Sequence, residues 1–117
     1  MNITNCVRND IVFVAPRARL TVETVADYTA VLDRLLEAGS TKIVLDLGDV
    51  PSIDSQGLCG LIQSYLEVKR RKGRIVLIRV GARNKTLLVI TKLVTVFDIY
   101  ENEEEAERSF LLEEAVV

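Results

Sequence analysis

The sequence predicts a single α/β domain in which about four helices cover a mixed sheet of about five strands. Three observations carry that prediction. At 117 residues the chain is long enough for one core and gives no sign of a second unit. It opens on two β-branched runs separated by a polar turn, which reads as an antiparallel hairpin. After them, amphipathic stretches with apolar spacings of three and four alternate with short runs rich in Val, Ile and Leu. Crossovers of this kind are right-handed and leave the inner strands parallel.

Ile3 to Val7 and Ile11 to Ala15 form the hairpin, with Arg8, Asn9 and Asp10 between them, and Pro16 ends the second strand. Arg17 to Thr21 make the connection, and Thr21 is the expected cap of a helix over 22–38. In that helix Val25, Tyr28, Leu32, Leu35 and Leu36 give one apolar stripe, and Gly39 is placed for a left-handed end. Ile43 to Leu47 has the unbroken apolar character of a strand covered on both faces. Pro51 stops any ladder, and Asp54 and Ser55 are both candidates to cap the next helix. That helix, about 55–71, is expected to bury Leu58, Leu61, Ile62, Tyr65 and Val68. Gly57, Cys59, Gly60 and Gln63 fall largely off this stripe.

Lys69 to Lys72 place cations at the helix end that attracts them, so they are read as dipole partners rather than a nucleic-acid patch. Arg74 to Val80 is the next strand, and Gly81 with Ala82 turns the chain. Leu87 to Leu93 suit a short helix, Val94 to Ile99 a last edge strand, and Glu101 to Glu107 the start of a final helix docked through Ala106 and Phe110. Residues 112–117 are expected to fray.

The stretch from Lys42 to Leu61 resembles the STAS domains, and within them the small free-standing anti-sigma factor antagonists. The resemblance rests on Asp54-Ser55-Gln56-Gly57-Leu58, which fits the family's D-S-x-G-L motif. It is supported by the strand Lys42 to Leu47 and by the late pattern from Leu87 to Tyr100. It covers nearly the whole chain. Gln56 stands where many members have a second Ser, and Lys92 stands where the late motif usually has Gly. Arg17 and Arg19 also depart from the Gly and Asp common near that connection. The implied fold is a STAS-type sandwich over residues 1–117. Ser55 is implied as the residue phosphorylated by an anti-sigma factor serine/threonine kinase, which supplies the ATP, and a separate serine phosphatase is implied to reverse it. Asp54 and Gly57 support that site.

Composition narrows the alternatives. The chain carries 15 basic and 17 acidic residues, a net charge of −2, which argues against direct nucleic-acid binding. No apolar run is long enough to span a bilayer and no leader pattern opens the chain, so the cytoplasm is expected. Cys6 and Cys59 have neither disulfide nor metal-ligand spacing. The absence of histidine removes the commonest general base and the Ser-His-Asp and zinc-protease arrangements; neither a phosphate loop nor a dinucleotide fingerprint is present. The chain is read as a non-enzymatic module with no cofactor and no metal, a monomer or weak dimer.

Two functional readings remain at the sequence level. In the first, the unphosphorylated protein binds an anti-sigma factor kinase and so releases the sigma factor, and phosphorylation of Ser55 ends that binding. A helix N-terminus tolerates the added anion, so the switch would act through charge beside Asp54. In the second, the domain is a scaffold, sensor or small-ligand module and Ser55 merely caps a helix. An enzymatic reading with Ser55 as nucleophile fails because Lys69 lies about four helical turns away. Gly57 and Gly60 weaken helix propensity by about 1 kcal/mol each. Either a partner's backbone approaches there or Gly60 packs against the sheet. The docking surface is placed on Gln56, Gly57, Cys59 and Gly60, with Arg19 and Thr21 beside them.

Overall fold

A computed structural model describes residues 2–115. Its sheet has five strands in sequence order: β1 (Ile3–Arg8), β2 (Ile11–Pro16), β3 (Lys42–Asp46), β4 (Arg74–Ile78) and β5 (Asp98–Tyr100). The first pair is antiparallel and the others are parallel. Helices α1 (Val25–Glu37), α2 (Ser55–Arg70) and α3 (Ala82–Ile90) fill the crossovers, and α4 (Glu103–Ala115) closes the chain. A sheet in sequence order with right-handed crossovers must carry its crossover helices on one face.

The pleat separates two cores. Val12, Val14, Ile43, Leu45, Ile75 and Leu77 point one way, toward Tyr28, Leu32 and Leu36 of α1 and Leu61 and Val68 of α2. Ile11, Phe13, Val44, Val76 and Ile78 point the other way, where Ala106 and Phe110 of α4 cover them as the sequence leads one to expect. The hairpin turn is Asn9 and Asp10, both at positive φ (53° and 68°), the twist that a two-residue connection requires.

Several boundaries differ from the expected ones, each for a local reason. Helix α1 starts at Val25 rather than Val22, and Thr21 is not its cap. The Thr24 hydroxyl accepts from the Thr21 N–H at 2.9 Å and donates to the Arg19 carbonyl at 2.6 Å, so residues 21–24 form a separate turn. Strand β4 ends at Ile78, because Arg79 turns to φ 51°. Helix α3 begins at Ala82, earlier than its apolar residues suggest. The expected strand from Val94 to Ile99 is largely absent. Leu93–Thr95 form a 3-10 turn instead, and only Asp98–Tyr100 pair with β4. The reversal is made by Lys92 at φ 63°, the left-handed conformation that glycine adopts more readily. Helix α4 includes residues 112–115 of the stretch expected to fray, and 116–117 lie outside the described residues.

Candidate functional site

The corner between β3 and α2 is built by backbone pairing with the connection before α1. Leu20 and Ile53 form an isolated parallel bridge. The Leu20 N–H donates to the Ser52 carbonyl at 3.0 Å, and the Asp54 N–H donates to the Leu20 carbonyl at 3.1 Å. Leu20, Val50 and Ile53 anchor the two loops in the core. Asn84 of α3 is buried and donates its Nδ2 hydrogen to the Val50 carbonyl at 2.7 Å, which fixes the loop from a third side.

Asp54 joins these pieces. Its Oδ1 accepts from the Gly57 N–H at 2.9 Å and caps α2, while its Oδ2 accepts from the Val22 N–H at 3.1 Å. The Gly57 N–H, opposed by desolvation and helped by the Val22 and Gln56 N–H groups, holds the Asp54 carboxyl below its ordinary pKa. One carboxylate therefore clamps a helix start and a neighbouring loop.

Ser55 is the first residue of α2 and is exposed, and among the described residues its hydroxyl takes part in no hydrogen bond. The sequence left the cap open between Asp54 and Ser55; the geometry gives it to Asp54. Gln56 and Cys59 are also exposed, and Cys59, four residues on, shares the side of the helix that Ser55 presents. Ser55, Gln56 and Cys59 are thus brought to one open surface.

Gly57 and Gly60 are not on that surface. Both are buried on a stripe that continues through Leu61, Ser64 and Val68. A Cβ on Gly57 would lie 2.1 Å from the Leu20 carbonyl oxygen, and one on Gly60 would lie 2.4 Å from Val25 Cγ2. The close approach is internal: Gly57 admits the Leu20 backbone and Gly60 admits α1. This corrects the expectation that these glycines leave room for a partner. Gly57 supports the corner through its N–H and its missing side chain, and Gly60 is a packing residue.

The Arg17 to Thr21 connection does lie beside the corner. Arg19, Thr21, Val22 and Asp54 line part of an open cleft of about 520 Å³. Val22, placed in a helix by the sequence reading, is 64% exposed there, an apolar side chain next to Ser55's helix start. Residue spacing did not mark it, because the turn at Thr21 and Thr24 moves it off the helix. Beneath the corner, Tyr28 is fully buried, and among the described residues its hydroxyl has no hydrogen-bond partner. Ser64, the polar side chain acting on it, donates its own hydrogen to the Gly60 carbonyl at 2.8 Å, and burial pushes the Tyr28 phenol well above its ordinary pKa. Among the described residues, no helix is long and apolar enough to cross a membrane.

The fold and this corner define an α/β module with a surface-exposed serine at a capped helix start. The STAS domain model matches residues 2–106, and the chain belongs to that family. A protein of Thermotoga neapolitana, provisionally named an anti-sigma factor antagonist, is 33% identical over 98 residues, covering 83% of this chain and 87% of its own. The crystal structure of a Thermotoga maritima protein under the same provisional name superposes with a TM-score of 0.87 at 27% identity, over 92% of each chain. The anti-sigma factor antagonist SpoIIAA in its unphosphorylated form shares the fold at 16% identity, with a TM-score of 0.71 over 94% of this chain and 97% of that one.

Proposed function

We propose that this protein is an anti-sigma factor antagonist whose unphosphorylated form binds an anti-sigma factor serine kinase and frees the sigma factor. In the reverse state the Ser55 Oγ has taken the γ-phosphoryl group of ATP held by the kinase, with ADP leaving and the hydroxyl proton lost. A serine phosphatase then restores the free hydroxyl by hydrolysis. The protein itself contributes no catalysis to this cycle, acting as substrate and ligand.

The observation that carries the reading is the division of labour between Asp54 and Ser55. Asp54 supplies the cap and the inter-loop clamp, so among the described residues the exposed Ser55 hydroxyl holds nothing together. A phosphate can be added or removed there without loss of any bond in the fold. It would sit at a helix N-terminus, which tolerates an anion, beside the ionised Asp54. The added charge must then be desolvated against any partner covering Ser55, Gln56, Cys59 and Val22, and truncating or unpairing such a charge costs about 2–5 kcal/mol of affinity. Arg19 and Thr21 extend the same face from the neighbouring connection.

Incubation with the cognate kinase and ATP, followed by phosphopeptide mapping, tests the site. Label on Ser55 is expected, and dominant label on Ser52 or Ser64 would overturn the assignment. Titration calorimetry with the unmodified kinase tests the switch. Ser55→Ala should bind and ignore ATP, whereas Ser55→Asp should lose affinity while keeping its melting temperature. Binding of Ser55→Asp as tight as that of the unsubstituted protein would refute the charge mechanism.

A further inference from the structure

The two edges of the sheet are unlike. Strand β5 has three residues and is too short to template another chain, whereas β1 has six, among them no proline and no lysine. Short edge strands, edge prolines and edge lysines are how sheets avoid pairing with a neighbour, and β1 uses none of them. Thr4 to Arg8 are exposed on both faces of the strand.

The hydrogen-bond parity of β1 follows from its hairpin. Arg8 and Ile11 flank a two-residue turn, and at the other end the Arg17 N–H donates to the Asn2 carbonyl at 2.8 Å. In an antiparallel ladder bonded and non-bonded pairs alternate, so the backbone groups of residues 2, 4, 6 and 8 face β2. Pro16, which has no N–H to give, falls opposite Ile3 at a non-bonded pair, as this parity demands. The N–H and C=O groups of Ile3, Asn5 and Val7 therefore point outward.

We infer that this edge pairs with the same edge of a second copy, β1 against β1 and antiparallel, about a two-fold axis at Asn5. In that register Ile3 meets Val7 of the second copy in both directions, and each such pair exchanges two backbone hydrogen bonds, as does Asn5 with its counterpart. Val7 is 64% exposed in the single chain, and Ile3, on the same side of the sheet, covers it in the pair. The charges agree with this arrangement. The strand's one charged residue, Arg8, is already paired with Glu103 and faces Asn2 across the axis, so no like charges oppose one another. The contact joins two five-stranded sheets into one. An edge alone buries less than the roughly 1,600 Å² of a stable interface, so the dimer is weak and concentration-dependent. Because the axis is perpendicular to the sheet, the two Ser55 corners lie at opposite ends, and both stay open.

The register makes a chemical test. Thr4 falls opposite Cys6 of the second copy in a non-bonded pair, where Cα atoms stand about 4.5 Å apart, within the range a disulfide spans. Mild oxidation of Thr4→Cys should give a cross-linked dimer whose bond, mapped by mass spectrometry, joins the introduced thiol to Cys6. Sedimentation of the unsubstituted protein should show mass rising toward a dimer with concentration. Asn5→Pro removes one outward N–H and leaves the β1–β2 ladder intact, and should weaken dimerisation about tenfold or more. If that variant melts early, Val7→Lys supplies the same test by charging the edge. A protein that stays monomeric at the highest concentration would overturn the inference. So would a Cys6 to Cys6 bond in the unsubstituted chain, which requires another register, or a dimer indifferent to both edge variants.

Discussion

Gly57→Ala and Gly60→Ala place the same methyl group on the same helix, yet the structure predicts different penalties. At Gly57 the new Cβ would lie 2.1 Å from the Leu20 carbonyl oxygen and 2.7 Å from the carbon behind it, both backbone atoms. That carbonyl accepts from the Asp54 N–H, so relief requires parting the loop bridge itself. Overpacking costs about 1–3 kcal/mol, occasionally more, and a rigid backbone neighbour places Gly57 at about 4, or about 3 net of the ~1 kcal/mol of helix propensity that alanine restores. At Gly60 the obstruction is Val25 Cγ2 at 2.4 Å, the end of a half-buried side chain, while alanine restores about 1 kcal/mol of helix propensity. A net loss of about 1 kcal/mol is expected there. With an unfolding entropy of about 2.1 cal/mol/K per residue, a chain of 117 residues loses about 4 °C of melting temperature per kcal/mol. Circular dichroism melts should therefore fall by about 12 °C for Gly57→Ala and about 4 °C for Gly60→Ala. Adding Val25→Ala to Gly60→Ala should cost less than the sum of the two single losses, because it removes the clashing methyl. Gly60→Ala melting at or above the unsubstituted protein, with strictly additive behaviour in the cycle, would refute the internal-packing argument.

Tyr28→Phe removes a buried hydroxyl that has no hydrogen-bond partner among the described residues, and should raise stability by about 1 kcal/mol, read as a higher urea midpoint with unchanged slope. Lys92→Gly relieves a left-handed residue, and its melting temperature should rise by an amount equivalent to about 0.5–1 kcal/mol. Asp54→Asn keeps a capping oxygen but loses the ionisation. The folded Asp54 carboxyl titrates below its ordinary 3.8, so the stability it contributes is present above that value and is lost as the pH falls through the lower folded value. Urea titrations should show the unsubstituted protein losing stability more steeply than Asp54→Asn in that acid window, and equal slopes would refute the clamp.

The sheet and its helices were legible because their signals are large side chains at regular spacing. The dock of Phe110 under the sheet and the β-branched runs on either side of Asn9 and Asp10 are of this kind. The stripe of α2 was read from Leu58, Leu61, Ile62, Tyr65 and Val68, whereas its buried line runs through Gly57, Gly60, Leu61, Ser64 and Val68. Where two backbones approach most closely the residue must be smallest, so the tightest contacts are blank to a pattern built on apolar bulk. Val94 to Ile99 failed for a different reason. Its β-branched residues favour extension, but Lys92 takes a conformation that nothing in its chemistry announces, and the turns after it consume Val94 to Phe97, four of the run's six residues. At the corner, Asp54 and Ser55 were visible as candidates, but the loop-to-loop bonds that separate their roles depend on Leu20 and Val22, more than thirty residues earlier.

The attachment of α4 bears on how the chain is made. Ile11, Phe13, Val44, Val76 and Ile78 form one whole face of the sheet, and their cover arrives with the last helix, Glu103–Ala115. That helix is also tied to the hairpin at the opposite end of the sequence, through Arg8 to Glu103 and Asn9 to Glu107. During synthesis all five strands emerge before α4, so this apolar face stands open to water until residues 103–115 follow. Closure of this face therefore waits on α4, and a nascent chain stalled before Glu103 is a natural substrate for chaperones that recognise exposed sheet.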